Sequence, residues 1–132
     1  MTLVIDASVV VSALMDLDRE GEWARHLLRT NELRSPHHML AEVTSALRRS
    51  ELSGLMPPDS AALAHENLLR LTVVLYPYEP LAWRVWELRQ NVTPYDAWYV
   101  ALAEELGSGL ATLDRRLAQA VGPRCEFVTP PL

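Results

Sequence analysis

The chain has 132 residues, 49% of them hydrophobic and 22% charged, with a formal net charge of −5 and a single cysteine, Cys125. One domain with a substantial core fits that length and balance, and a lone cysteine excludes both an internal disulfide and a cysteine-rich zinc site. All twelve basic residues are arginine, which excludes P-loop phosphate binding, Schiff-base catalysis and lysine-assisted phosphoryl transfer.

The first expected strand covers residues 2–6, an apolar run closed by Asp6. A helix over 8–16 follows, and a second over 20–31 puts Trp23, Leu27 and Leu28 on one face. Leu33-Arg34-Ser35 is a short strand candidate, and Pro36 leads into a helix over 38–53 with Leu40, Val43 and Leu47 at core spacing. Gly54 and Pro57-Pro58 end that helix, and Asp59 or Ser60 is the expected cap of the next, which runs to Leu71. Val73–Tyr76 reads as a strand, 79–90 and 94–106 as helices, and 109–113 as a strand ending at Asp114. A short helix over 115–120 and an edge strand over 125–128 precede the proline-rich end. This alternation predicts an α/β fold with a mostly parallel sheet, one domain over 1–132. The N-terminus has no basic n-region, Asp6 interrupts its apolar stretch, and no run reaches membrane-spanning length. The expected location is therefore the cytoplasm, with no membrane partner.

Four acids lie at the margins of apolar segments: Asp6, Glu42, Asp96 and Asp114. A carboxylate in such a place costs desolvation energy and asks for a partner. Asp6 and Asp114 fall at the carboxyl ends of strands, where ligands bind in open α/β sheets; each also fits as the N-cap of the helix that follows. Glu42 lies off the apolar stripe of its helix, sharing a face with Ser45, Ala46 and Arg49; taken alone it reads as a solvated acid in an early turn, favoured by the helix dipole. Asp96 is the only charge between Asn91 and Ala103. Thr93 as N-cap and Pro94 as the first helical residue place Asp96 in the first turn, where the dipole favours its ionised form. A capping acid bonded back to the Thr93 amide is the alternative.

Taken together, converging carboxylates repel one another and raise each other's pKa, and a hard divalent cation relieves that repulsion. Oxygen ligands favour Mg²⁺ or Mn²⁺ over zinc, and such a site suits metal-assisted hydrolysis of a phosphodiester. The net charge of −5 argues against binding nucleic acid by bulk charge. Much of that excess sits in the four acids, so a local arginine patch is compatible with it.

These residues carry a resemblance. Val4-Ile5-Asp6-Ala7-Ser8, Glu42, and above all the run Tyr95-Asp96-Ala97-Trp98-Tyr99-Val100-Ala101-Leu102-Ala103-Glu104 followed by Leu110-Ala111-Thr112-Leu113-Asp114 resemble the PIN-domain ribonucleases. Within them the chain is similar to the VapC-type toxins of bacterial toxin–antitoxin pairs, over nearly its whole length. The resemblance implies a three-layer α/β/α sandwich and a Mg²⁺- or Mn²⁺-dependent endoribonuclease. Asp6 and Asp96 would be the principal metal ligands, with Glu42 and Asp114 completing the acidic pocket, directly or through water. Ser8 and Thr112 would be supporting hydroxyls. It also implies a homodimer, a cognate antitoxin that blocks the pocket, and RNA substrates that in the family are often structured, tRNA among them.

Arg49, two turns from Glu42, and Arg115-Arg116 beside Asp114 are candidate holders of RNA phosphates, or else solvated charges balancing nearby acids. Arg25 and Arg29 read as surface charges. His37-His38 are adjacent rather than one helical turn apart, which does not suit paired metal ligands. Trp83, Trp86, Trp98 and Tyr99 could stack on bases, but their helical spacing favours core or a dimer interface. A phosphatase or receiver built on Asp6 would need a lysine and, for the phosphatase, an acid two residues on; Ser8 stands there instead. The remaining rival is a PIN-like module that binds RNA or protein without cutting.

Overall fold

Short runs, apolar at the centre of the sheet and more polar in the second strand, give the strands. In the computed structural model, which describes residues 1–132, these are β1 (Thr2–Ile5), β2 (Glu32–Pro36), β3 (Val73–Tyr76), β4 (Gly109–Ala111) and β5 (Phe127–Val128). They form one sheet in the order β3-β2-β1-β4-β5, with every pairing parallel. Val4 and Ile5 at its centre are fully buried, as a strand covered on both faces requires. Burying each such side chain contributes about 2 kcal/mol.

The helices are α1 (Ala7–Met15), α2 (Arg19–Thr30), α3 (Met39–Leu52), α4 (Pro58–Leu69), α5 (Ala82–Glu87), α6 (Pro94–Leu106) and α7 (Arg115–Ala118). Helices α1 to α4 pack among themselves, while α5 packs on α6, which lies across β1, β2 and β4. This is the expected three-layer α/β/α sandwich. The chain winds outward from β1 to β3, then returns past β1 to add β4 and β5. Strand order thus reverses between β1 and β4, and the carboxyl ends of those strands flank the crevice where open α/β sheets bind ligands.

Several local expectations are corrected. Neither Asp59 nor Ser60 caps α4: Pro57 takes the cap position with no side-chain bond and Pro58 begins the helix, its missing N–H costing nothing there. The helix expected over 79–90 is a 3-10 turn (Glu79–Leu81) followed by a short α5. Its Trp83 and Trp86 are 84% and 60% exposed, which removes the core from the expected core or dimer-interface role. Arg25 is no free surface charge. Its guanidinium donates to the carbonyls of Ala13 and Asp16 at 3.1 and 2.6 Å, closing the end of α1. Helix α6 ends where expected, because Gly107 adopts the left-handed conformation (φ 62°) that lets a helix terminate in a glycine cap.

Candidate active site

Asp6 is held by two hydroxyls. Its Oδ2 accepts from Thr112 Oγ1 at 2.7 Å and from Ser8 Oγ at 2.9 Å. The Asp6 amide also donates to the Ala111 carbonyl at 3.0 Å, so β1 and β4 are still locked together where the carboxylate emerges. Both hydroxyls serve twice. Ser8 Oγ accepts from the Leu113 amide at 3.1 Å, and Thr112 Oγ1 accepts from the Asp114 amide at 3.0 Å. Asp6 occupies the N-cap position of α1 but makes no side-chain capping bond; its carboxylate is committed to the crevice instead. Burial pushes its pKa up, against the pull of the Thr112 and Ser8 bonds.

Asp114 does act as a cap. It accepts from the amides of Arg116 and Leu117 at 2.9 and 3.2 Å, both bonds falling on Oδ1. Asp96 stands in the first turn of α6, where Thr93 Oγ1 accepts from its amide at 3.3 Å. Its carboxyl pKa is raised from 3.8 to about 6, first by burial and then by the charges of Asp6, Asp114 and Glu42. Asp96 thus feels the charge of the other three acids, although Asp6 and Glu42 line one cleft and Asp96 and Asp114 another.

Glu42 is the best-anchored acid of the two helices. Tyr99, fully buried on α6, donates its hydroxyl to Glu42 Oε1 at 2.5 Å, and His38 Nε2 lies 3.5 Å from the same oxygen. Burial, then the bond to Glu42, hold the Tyr99 phenol well above its ordinary range, so it stays a donor. The spacing of Asp96 and Tyr99, three apart on a helix, was the available signal for Tyr99. His38 carried a similar one, four residues before Glu42. Both were obscured by reading Tyr99 among the aromatics and His38 as a partner of His37, which is exposed.

A cleft of about 430 Å³ runs from Asp6 and Ser8 between α1 and α3, lined by Ser12, Asp16, Glu42 and Arg49. A smaller one of about 210 Å³ lies beyond it, lined by Asp96, Asp114, Thr93 and Arg116. Arg49 lines the first cleft with Asp6 and Glu42, and Arg116 the second with Asp96 and Asp114. The Arg115 guanidinium donates to the Pro130 carbonyl at 2.9 Å and ties down the C-terminal tail.

No arginine of the chain forms an ion pair with any of the four acids. The donor set is carboxylate and hydroxyl oxygen, which suits a hard divalent cation. No three acids are drawn tightly enough together to cage an ion unaided. Partial hydration is what Mg²⁺ favours, since it binds through one or two carboxylates and keeps several waters.

Against known proteins, the PIN domain family matches residues 3–122. The chain belongs to the PIN-domain family. Among PIN-domain proteins its relatives are VapC ribonucleases. Ribonuclease VapC1 of Mycobacterium tuberculosis is 44% identical over 125 residues, 94% of either chain, and ribonuclease VapC9 of the same organism is 36% identical over 129 residues, 98% of either chain. The fold agrees with that of VapBC2 from Rickettsia felis bound to a promoter DNA fragment, with a TM-score of 0.69, 12% identity and 98% coverage of both chains. It also agrees with that of the Sarcin-Ricin loop cleaving toxin VapC20 of M. tuberculosis, with a TM-score of 0.68, 18% identity, and coverage of 88% of this chain and 92% of that one.

Proposed function

We propose that this chain is a metal-dependent endoribonuclease acting as the toxin of a toxin–antitoxin pair, with Mg²⁺ or Mn²⁺ as its cofactor. The observation that carries the reading is the Asp6 carboxylate, held at the sheet's carboxyl edge by Thr112 and Ser8 in a cleft it shares with Glu42, with no arginine paired to it or to Glu42, Asp96 or Asp114. A site so charged asks for an external cation.

Asp6 and Asp96 would be the main ligands, with Glu42 and Asp114 completing the shell directly or through water. For Asp114 the oxygen left for this would be Oδ2, since its Oδ1 caps α7. When bound, the ion supplies positive charge that activates water and offsets charge on the scissile phosphate. Thr112 and Ser8 orient the Asp6 carboxylate and link it to the Asp114 backbone, so two ligands move as one unit. Arg49 and Arg116 would hold RNA phosphates on either side of the acids, fixing the strand without reading its sequence.

The partners in this reading are an RNA, structured or tRNA, a cognate antitoxin as in the VapBC assemblies, and a second copy of the chain. Exposed Trp83 and Trp86 on α5 offer apolar surface for that association. The site of action is the cytoplasm; no helix is long and apolar enough to cross a membrane.

The test is cleavage of total cellular RNA by wild type and Asp6→Asn with Mg²⁺, with Mn²⁺ and with chelator. Discrete fragments that require both metal and Asp6 are expected. Cleavage that survives chelation, or that Asp6→Asn retains, would overturn the metal assignment.

A further inference from the structure

Glu42 is a flexible, half-exposed side chain at the start of α3, yet both contacts on it converge on one oxygen. Tyr99 donates to Oε1 from α6 at 2.5 Å, and His38 Nε2 approaches Oε1 at 3.5 Å. The same His38 nitrogen lies 2.9 Å from the Tyr95 carbonyl, which can only accept, so Nε2 carries the proton. The imidazole is clamped flat against Trp98, with ring centres 4.3 Å apart and planes 4° from parallel.

Two ties therefore cross between the helical layers. One runs from the start of α3 to the first turn of α6, beside Asp96. The other runs back from α6 to Glu42. We infer that His38 and Tyr99 are positioning residues, a crossed brace that sets the separation of Glu42 and Asp96 and turns Glu42 Oε2 toward the cleft. The inference rests on the reading that Glu42 is one of the working acids.

The geometry favours this over simple packing. A buried tyrosine needs only one acceptor for its hydroxyl, and any nearby carbonyl would serve. Here the acceptor is a charged oxygen at the rim of the acidic cleft. A charge-assisted bond is shorter and stronger than a neutral one, so it restrains the carboxylate as well as satisfying the phenol. His38 adds direction, because its ring cannot rotate without breaking both the stack and the bond to Tyr95. The indole on the other side of that stack is itself held, edge-on, by Tyr78 at 5.3 Å.

The test uses Tyr99→Phe, which removes one oxygen and keeps the ring. Outer contacts of this kind typically change metal affinity or activity by about 10- to 100-fold. The expected result is a Mn²⁺ dissociation constant raised about tenfold by calorimetric titration, and a lower kcat with unchanged KM for RNA. Adding Tyr99→Phe to a Glu42→Ala protein should change Mn²⁺ affinity no further, because the brace acts through Glu42. His38→Gln, which can still present a donor to Tyr95 and Glu42, should retain more Mn²⁺ affinity than His38→Ala. The brace is overturned if Tyr99→Phe folds and binds Mn²⁺ as the wild type does, or if it weakens binding equally in the Glu42→Ala background. A different result separates the underlying reading: if Glu42→Ala itself leaves Mn²⁺ affinity unchanged, Glu42 is not a working acid and the brace has nothing to position.

Discussion

Helix α6 carries a partly buried acid at each end, and the two are treated in opposite ways. Near its C-terminus, Glu104 receives the Arg84 guanidinium through two bonds of 2.7 and 3.2 Å, and its Oε2 also accepts from the Arg124 amide at 2.7 Å. Arg84 in turn donates to the Gly122 carbonyl, and its own pKa is raised by Glu104. Near the N-terminus, Asp96 shares a cleft with Asp114, its pKa is raised by burial and by the charges of Asp6, Asp114 and Glu42, and no arginine pairs with it. The first end is electrostatically complete. The second carries like charges without a counter-charge of its own, which is the contrast expected if Glu104 serves the fold and the other acids serve the proposed metal site.

The sharpest way to break the contrast is neutralisation of Asp96. Asp96→Asn is expected to abolish detectable RNA cleavage while raising the melting temperature of the metal-free protein by about 4 °C, equivalent to about 1 kcal/mol once solvent screening is allowed for. A variant that is inactive and less stable would argue that Asp96 serves the fold. The next largest effect is the converse one. Saturating Mn²⁺, at about a hundred times its Kd, should stabilise the wild type by about 2.7 kcal/mol and Asp96→Asn by much less; thermal melts with and without metal measure the difference.

Glu104→Gln tests the other end. Arg84 and Glu104 side chains are only 20% and 16% exposed, so loss of the pair should destabilise by about 2 kcal/mol, short of the 3–5 kcal/mol for a fully buried pair. Specific cleavage well below the melting point should be unaffected; a comparable loss of activity would erase the distinction between the two ends.

The smallest effect is in pH. For an acid whose folded pKa is raised, the folded state holds its proton longer than the unfolded one. The metal-free wild type should therefore lose about 1 kcal/mol from this group as pH rises from 3.8 to about 6, with no further loss above. Asp96→Asn should lack that component when denaturant unfolding is followed across the same range.

The strand-borne part of the site was legible in the sequence, and the cross-layer part was not. Asp6 and Asp114 follow short apolar runs, and a parallel sheet with helices between its strands leaves few places for such acids except the carboxyl ends. Asp96 was legible because its surroundings are apolar and its cap is written in Thr93-Pro94. Local spacing put Tyr99 one turn from Asp96 and His38 one turn from Glu42, but the pairing of Tyr99 with Glu42 depends on α3 and α6 meeting across 57 residues, which no local period records. The exposure of Trp83 and Trp86 escaped for a related reason: spacing shows which residues share a face, not what covers it. Arg115 shows the same limit, since its partner is set by where the C-terminal tail returns.

The bond between Asp6 and Thr112 spans 106 residues of chain. During synthesis, at roughly 5–20 residues per second, the threonine leaves the ribosome on the order of 5–20 seconds after the aspartate. Until then β1 has no β4 beside it, Asp6 lacks its principal restraint, and Asp114 does not exist. A message cut short anywhere before its last fifth would yield fragments without an assembled site.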